Sequence, residues 1–305
     1  MSAHDIVIGV DASPEATEAA AFAFRLREVL RARCHLVHAV PEPWIAVPDV
    51  PVPPDLEAIR RALAERAREE TLLATRGSDI PEHADVIVRF GRPVRVLRDA
   101  VAELDAGFVV LGGKRHPALE RWLGGSTAHN AVRALPVPVI VTRHPPPAVR
   151  RVLAAADLSA AAGPTLAAAE RMADAWGAEL RVVSALEPLP PGASGAGMDS
   201  PEYRALWEEM LRRDVWPLIR GRGVHALVRH GPVVDVLRRE ALEWPADLLV
   251  MGSHGKGWID RLLLGSVTER VLNELPTSLL VVPTAVALTP AAVESREVFA
   301  TGYIP

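Results

Sequence analysis

Glycine and serine residues in one stretch of the chain have the spacing of a phosphate-binding loop. Gly252 and Gly255 are followed, after nine further residues, by Gly265 and Ser266. Glycines let backbone N–H groups approach an anion closely, and the first turn of a helix offers unpaired N–H donors at the positive end of its dipole. A strand before Gly252 and a helix after Gly265 would therefore complete a site for phosphate groups.

The neighbouring residues predict both of these elements. The run at 247–251, which is apolar after Asp247, is typical of a buried strand, and residues 266–274 have the pattern of a helix. Ser266 and Glu269 also have the spacing of a capping box, which would satisfy the helix's own N–H groups without any ligand. Both interpretations stay open, because a serine hydroxyl can change partner when a phosphate arrives.

The same pattern occurs 140 positions earlier, with one change. Gly112, Gly125 and Ser126 repeat, but Arg115 replaces the second glycine and Pro117 follows shortly after it. A side chain at this position obstructs close backbone approach, and proline stiffens the loop. A guanidinium group could instead pair with a phosphate. We expect impaired binding in this first copy.

The sequence consists of two copies of one repeat unit. Residues 96–98 and 135–136 recur at 236–238 and 275–276, and Asp11 with Ser13 recurs as Asp157 with Ser159 after 146 positions. The six extra residues of the first unit belong in its proline-rich segment at 41–54. We predict a first domain at 1–144, a second at 148–285 and a tail at 286–305 outside the repeat.

Each unit alternates short apolar runs with longer helical patterns, which is typical of an α/β fold. The predicted strands lie near 5–10, 34–40, 84–89, 107–112 and 137–142, then 150–156, 179–186, 224–230, 246–251 and 278–283. The predicted helices lie near 14–32, 55–76, 93–104 and 126–134, then 164–176, 200–220, 232–243 and 266–274. We expect two tandem doubly wound domains, each with a five-stranded parallel sheet. Such sheets bind ligands where the strand order reverses, which brings Asp11 and Asp157 close to the glycines.

These residues resemble the universal stress protein family, and specifically tandem-domain members of its ATP-binding branch. The resemblance extends to about residue 285, and the second unit matches the branch's G-2x-G-9x-G-(S/T) pattern fully. It implies a Rossmann-like fold of the adenine nucleotide alpha hydrolase type. It also implies an ATP, ADP or AMP ligand, with Mg²⁺ as an optional accompanying cation.

The resemblance assigns roles to residues of the second unit. Asp157 would meet the ribose or adenine, and the backbone around Leu186 would border the base. The ribose and first phosphates would be wrapped by Met251, Gly252, Ser253, His254 and Gly255. The outer phosphates would be held by Gly265, Ser266, Val267 and Thr268. The first unit matches at Asp11, Val40, Gly112, Gly125 and Ser126 and departs at Arg115, so the nucleotide is expected mainly in the second unit.

Composition excludes several other classes of protein. The 305 residues carry a net charge of −4, which gives no basic footprint for nucleic acid or an anionic membrane. A single cysteine, Cys34, excludes a disulfide framework. No signal peptide or membrane-length apolar run is evident, so a cytoplasmic protein is expected. His35 and His38 fall on opposite faces of a strand, which argues against a shared metal site.

The leading hypothesis is a stress-response protein that binds an adenine nucleotide and regulates rather than catalyses. One alternative is a slow ATPase or adenylyl-transferring enzyme, with Asp157 and His254 as its candidate chemical groups; another is a ligand-free interaction protein. The last apolar strand of each unit would be an exposed edge. We expect these edges to pair within the chain as a pseudo-dimer, with a homodimer as a further option. Trp207 is expected to pack or to lie half-exposed at an interface.

Overall fold

Ten strands form one continuous sheet in the computed structural model of this chain. The structure describes residues 5–43, 55–81, 83–113, 127–187, 201–221, 223–254 and 264–284. The strands are β1 (Ile6–Val10), β2 (Cys34–Val40), β3 (Val86–Phe90), β4 (Phe108–Gly112), β5 (Val139–Thr142), β6 (Arg151–Ala155), β7 (Glu179–Leu186), β8 (His225–His230), β9 (Leu248–Gly252) and β10 (Ser278–Val282). The helices are α1 (Pro14–Leu30), α2 (Leu56–Ala74), α3 (Pro93–Glu103), α4 (Thr127–Ala134), α5 (Ala162–Trp176), α6 (Pro201–Asp214), α7 (Val233–Glu243) and α8 (Ser266–Glu274).

The sheet consists of two parallel halves joined edge to edge. Its strand order is β3-β2-β1-β4-β5-β10-β9-β6-β7-β8. Every pairing within a unit is parallel, and the single junction, β5 with β10, is antiparallel. The predicted pair of doubly wound, five-stranded parallel sheets is therefore confirmed. The strand order reverses between β1 and β4 and again between β6 and β9, which is where such sheets bind ligands.

Helices cover both faces of the sheet, as the mainly apolar inner strands require. Along β1, Ile6 and Ile8 point into a core with α1, α2, α5 and α6, whereas Val7 points into a core with α3, α4, α7 and α8. All three side chains are fully buried. Burial of each such side chain contributes about 1.5–3 kcal/mol.

Side chains from both units meet around the β5–β10 junction. Phe22 of α1 stacks on Trp176 of α5, with ring centroids 6.3 Å apart and planes inclined by 21°. The Arg143 guanidinium donates to the carbonyl oxygens of Glu274, at 2.7 Å, and Leu275. The Arg143 backbone N–H also donates to Ser278 Oγ at 3.1 Å. Apolar packing between α1 and α5 and the hydrogen bonds of Arg143 therefore join the two units beside the β5–β10 junction.

The boundaries of most elements fall close to their predicted positions, and α6 is the main exception. The helix predicted at 200–220 ends at Asp214 and is followed by a 3₁₀ turn at Trp216–Leu218. Pro217 explains the break, because proline lacks a backbone N–H and disfavours α conformation in the residue before it.

Candidate functional site

One cavity at the carboxyl ends of β6, β7 and β9 gathers most of the residues predicted to bind in the second unit. Its volume is about 490 Å³. The predicted residues that line it are Asp157, Leu186, Met251, Gly252, His254, Gly265, Ser266, Val267 and Thr268. Gly255 lies outside the described residues. A motif scattered over more than 100 positions thus converges on a single pocket.

Asp157 is oriented by a local turn just after β6. One of its carboxylate oxygens, Oδ1, accepts hydrogen bonds from the Ser159 backbone N–H at 3.1 Å and from Ser159 Oγ at 2.5 Å. The first unit repeats this arrangement, since Asp11 Oδ1 lies 3.3 Å from Ser13 N and 2.5 Å from Ser13 Oγ. The recurring Asp-x-Ser spacing therefore holds a carboxylate at the mouth of each cavity.

Gly252 allows the end of β9 to approach the first turn of α5. A Cβ atom added at Gly252 would lie 2.9 Å from the Ala161 Cβ and 3.3 Å from the Thr165 hydroxyl. At the equivalent Gly112, the added Cβ would lie 2.7 Å from the Glu15 carbonyl oxygen. Both glycines therefore have a packing role that needs no ligand.

Gly265 places the start of α8 against the end of β9. Its N–H donates to the Ser253 carbonyl at 3.0 Å, and an added Cβ would lie 3.1 Å from that same oxygen. Gly265 is the N-cap of α8, and no side chain caps the helix. The predicted capping box of Ser266 and Glu269 is therefore wrong, because Ser266 is already the first helical residue rather than the cap.

The first turn of α8 faces the cavity. Ser266, Val267 and Thr268 line it, and their N–H groups belong to the set that has no intrahelical acceptor. The Thr268 hydroxyl donates to the Gly252 carbonyl at 3.0 Å, which ties α8 to β9. Thr268 can therefore offer its backbone N–H to an anion while its side chain holds the two elements together.

His254 is anchored through one ring nitrogen by a small polar cluster. Its Nδ1 lies 3.0 Å from Ser253 Oγ, which in turn accepts the Thr284 backbone N–H at 3.0 Å. The Thr284 hydroxyl lies 3.1 Å from Ser253 Oγ. Ser253 itself is buried and does not line the cavity, so it supports the His254 ring rather than facing a ligand.

Several lining residues were missed by sequence reasoning. Tyr203 and Trp207 of α6, Thr165 of α5, and Val233 and Leu237 of α7 all line the cavity. Trp207 is half-buried as expected, but it packs beside the pocket as well as against the core. The available signal was the spacing of Tyr203, Trp207 and Leu211, which puts three large side chains on one face of a helix.

The first unit has a smaller cavity at the equivalent place. Its volume is about 320 Å³, and Asp11 and Gly112 are among its lining residues. Val40 ends β2 as a buried residue and is not one of the residues lining the cavity. Arg115, Gly125 and Ser126 lie outside the described residues, so the predicted effect of Arg115 stays a prediction.

Two features are absent from the described residues, a metal-ligand cluster and a membrane-spanning helix. Within those ranges, no group of three or more His, Cys, Asp or Glu side chains is arranged to hold a metal ion. His35 and His38 instead bond separately, His35 to Asp5 and Asp85, and His38 to the Thr71 hydroxyl. None of the described helices has the length and apolar character that a membrane crossing requires.

Comparison with known proteins agrees with this architecture. The family model for the universal stress protein family matches the chain twice, at residues 3–143 and 148–283. The chain belongs to the universal stress protein family. Its two matched segments make it a tandem-domain universal stress protein.

Relatives of similar length carry the same family name. A universal stress protein of Mycolicibacterium smegmatis is 27% identical over 289 residues, covering 92% of this chain and 97% of the relative. One of Mycobacterium bovis is 28% identical over 290 residues, covering 88% and 94%. The crystal structure of a universal stress protein from Archaeoglobus fulgidus superposes with a TM-score of 0.63 at 18% identity, covering 92% of this chain and 97% of that one. That structure supports the fold of both units.

Proposed function

We propose that this universal stress protein binds an adenine nucleotide, ATP in the first place, in the cavity of its second unit. One observation carries the proposal: nine predicted residues from four separate segments of the chain line a single cavity. The cavity volume of about 490 Å³ is ordinary for a small-molecule site. In the cytoplasm, where we place the protein, ATP is an abundant ligand of this size.

The residues of the cavity fit the two ends of a nucleotide. The first turn of α8 presents backbone donors and the positive end of the helix dipole, which suit phosphate groups. Gly265 lets this turn lie close against the end of β9, where an added Cβ would be 3.1 Å from the Ser253 carbonyl oxygen. Val233, Leu237 and Leu186 also line the cavity and offer apolar surface for a base. When bound, the nucleotide would supply negative charge and a flat ring, and the protein would bind and orient both.

We propose a regulatory role rather than a catalytic one, with the nucleotide signal transmitted through the chain's own two-unit assembly. The antiparallel β5–β10 pairing supports an intrachain pseudo-dimer, with domains at 1–144 and 148–285 and a tail at 286–305. Helix α8 connects the cavity of the second unit to the junction between the units. Its first turn lines the cavity, and its last residue, Glu274, accepts a hydrogen bond from Arg143 of the first unit.

The test is equilibrium dialysis of the full chain with labelled ATP, comparing the wild type with Ser266→Asp. Ser266 is exposed at the first position of α8, where an acidic residue favours the helix dipole and should leave the fold intact. The added charge would repel phosphate, so we expect affinity to fall about tenfold or more, equal to ~1.4 kcal/mol. Asn273→Asp is the matched control, because it adds the same charge at the far, exposed end of α8.

A valine at Gly252 would be a poorer test, since its Cβ would collide with Ala161 whether or not a ligand binds. No ATP binding by the wild-type protein would refute the proposal, as would equal binding by wild type and Ser266→Asp. Release of many equivalents of ADP or AMP per chain would favour the enzymatic alternative instead.

A further inference from the structure

Helix α6 carries a stripe of three large side chains, one of which lies in the core while the other two line the cavity. Tyr203, Trp207 and Leu211 are spaced four residues apart and so share one face of the helix. Leu211 is fully buried in the core, and it is the one buried residue of α6. Tyr203 and Trp207 are half-buried and line the cavity. The aromatic half of the stripe therefore faces the space that a ligand would occupy.

The opposite wall of the cavity is aliphatic. Val233 and Leu237 of α7 belong to the core layer on the other face of the sheet from α6. Ala155 and Ala185, near the ends of β6 and β7, pack with that same layer and also line the cavity. The cavity therefore combines aromatic residues from one face of the sheet with branched aliphatic residues from the other, and both suit a flat ring.

We infer that Tyr203 and Trp207 recognise the base of the bound nucleotide by stacking, and so make the site select ligands that carry a heterocyclic ring. The inference rests on the proposed nucleotide binding and names its source of selectivity. Aromatic side chains stack on any nucleobase because every base has a π-face. A polyphosphate without a base gains no binding energy from Tyr203 and Trp207.

The first unit lacks an equivalent wall among its described residues. The lining of its cavity includes Pro93 and Leu97 of α3 and no residue of α2, the helix that corresponds to α6. Helix α2 makes other contacts, with Arg60 over the Phe90 ring at 5.8 Å and Thr71 bonded to His38. Selection by base stacking is thus a property of the second unit.

The test compares two substitutions of Trp207 in the full chain, with ATP titrations followed by calorimetry. Trp207→Leu keeps an apolar side chain but removes the ring, and it should weaken ATP binding about tenfold. Trp207→Phe keeps a ring and should change affinity by less than about threefold. Leu206→Ala is the control, because Leu206 is 59% exposed on the same helix. Thermal unfolding of each variant separates loss of stacking from loss of fold.

A second measurement does not depend on the leucine variant being folded. Saturating ATP should change tryptophan emission in the wild type far more than in Trp207→Phe, and inorganic tripolyphosphate should change it in neither. Equal ATP affinity of the leucine and phenylalanine variants would overturn the inference, and so would an ATP-induced emission change that persists in Trp207→Phe. Failure of the wild type to bind ATP would instead overturn the proposed function, which is a distinguishable result.

Discussion

Gly252 combines two requirements in one residue. The end of β9 must come close to the first turn of α5, where an added Cβ would lie 2.9 Å from Ala161, and the same backbone also borders the cavity. Gly112 repeats the first requirement in a unit whose loop lacks the second glycine. The first glycine of the motif is therefore explained by folding alone, and the proposal of a ligand rests on the residues around it.

Replacing Gly252 by alanine should therefore destabilise the fold. We expect a loss of about 1–3 kcal/mol, because a Cβ closer than 3 Å to its neighbours forces the surrounding structure to shift. Gly163→Ala is the control: an added Cβ there meets nothing nearer than 3.9 Å, and alanine is the better helix former. Urea unfolding of both variants measures the difference, and equal stability would show that the contact between β9 and α5 has room for a Cβ at Gly252.

Asp5 predicts an acid-sensitive contribution to stability. Burial would raise the pKa of this carboxyl, but hydrogen bonds from Arg33 and His35 outweigh burial and hold its pKa below the usual value. His35 also contacts Asp85 through its other ring nitrogen. Because the folded pKa lies below the unfolded one, the stabilisation is present above the unfolded pKa of about 3.9 and is lost as pH falls through the folded value.

Asp5→Asn removes that titration. Its unfolding free energy should be lower than that of the wild type by about 1–3 kcal/mol at neutral pH, and the gap should narrow as the pH falls below about 4. Urea unfolding of both proteins at several pH values measures this gap. A gap that stays constant into acid would contradict the assigned role of Asp5.

The site residues that belong to a sequence motif could be predicted. Those that reach the site only through contacts between distant segments could not. Asp157 and Gly265 were found by spacing and by their place after strands. Thr284 lies 31 positions beyond Ser253, and Trp207 belongs to a helix with no motif, so only the folded chain brings Thr284 to Ser253 and Trp207 to the cavity. Nothing in the pattern of one segment encodes which other segment it will meet.

Elements were easier to predict than their ends. Short apolar runs indicated the ten strands, and the inner strands such as β4 and β10 are apolar throughout because both faces of a parallel sheet are covered. The two errors are local: Pro217 ends α6 early, and Gly265 rather than Ser266 caps α8. Both arise because several residues near a helix end can serve as its boundary, and tertiary contacts choose among them.

The hydrogen bond between α8 and β9 gives a prediction for the helix whose first turn is proposed to bind phosphate. Thr268→Val keeps the side-chain shape but removes the hydroxyl that bonds the Gly252 carbonyl. We expect a stability loss of about 1–2 kcal/mol together with weaker ATP binding, because the first turn of α8 is no longer fixed against β9.

Thr277→Val is its matched control. The Thr277 hydroxyl bonds the Ala246 carbonyl at 2.8 Å, beyond the other end of α8 and away from the lining residues. This variant should lose similar stability in thermal unfolding and keep its ATP affinity in dialysis. Equal loss of affinity in both variants would mean that general stability, and not the position of α8, governs binding.

At the scale of the whole molecule, the two units are alike in fold and unlike in their sites. The cavity of the second unit is larger, at about 490 Å³ against about 320 Å³, and it alone has an α6-type wall among the described lining residues. Arg115 replaces the second glycine in the first unit. These differences favour one occupied site in each chain.

Mass spectrometry of small molecules released from the purified, denatured protein tests this asymmetry. We expect one adenine nucleotide per chain. Substitution Arg115→Gly restores the glycine pattern and should raise the number toward two if that side chain is the obstacle. Two nucleotides per wild-type chain would show that both cavities bind, and the proposed asymmetry would then be discarded.

The β5–β10 pairing also determines whether the stability of this protein depends on its concentration. Each unit's last strand pairs with the other's inside one chain, leaving β3 and β8 as the outer edges of the sheet. Each of those edges carries an arginine in an ion pair, Arg89 with Glu103 and Arg229 with Glu240, and charges there discourage strand addition. Because the joining of the units is a unimolecular event, mass action does not weaken it. The midpoint of unfolding should therefore be the same in dilute and concentrated solution.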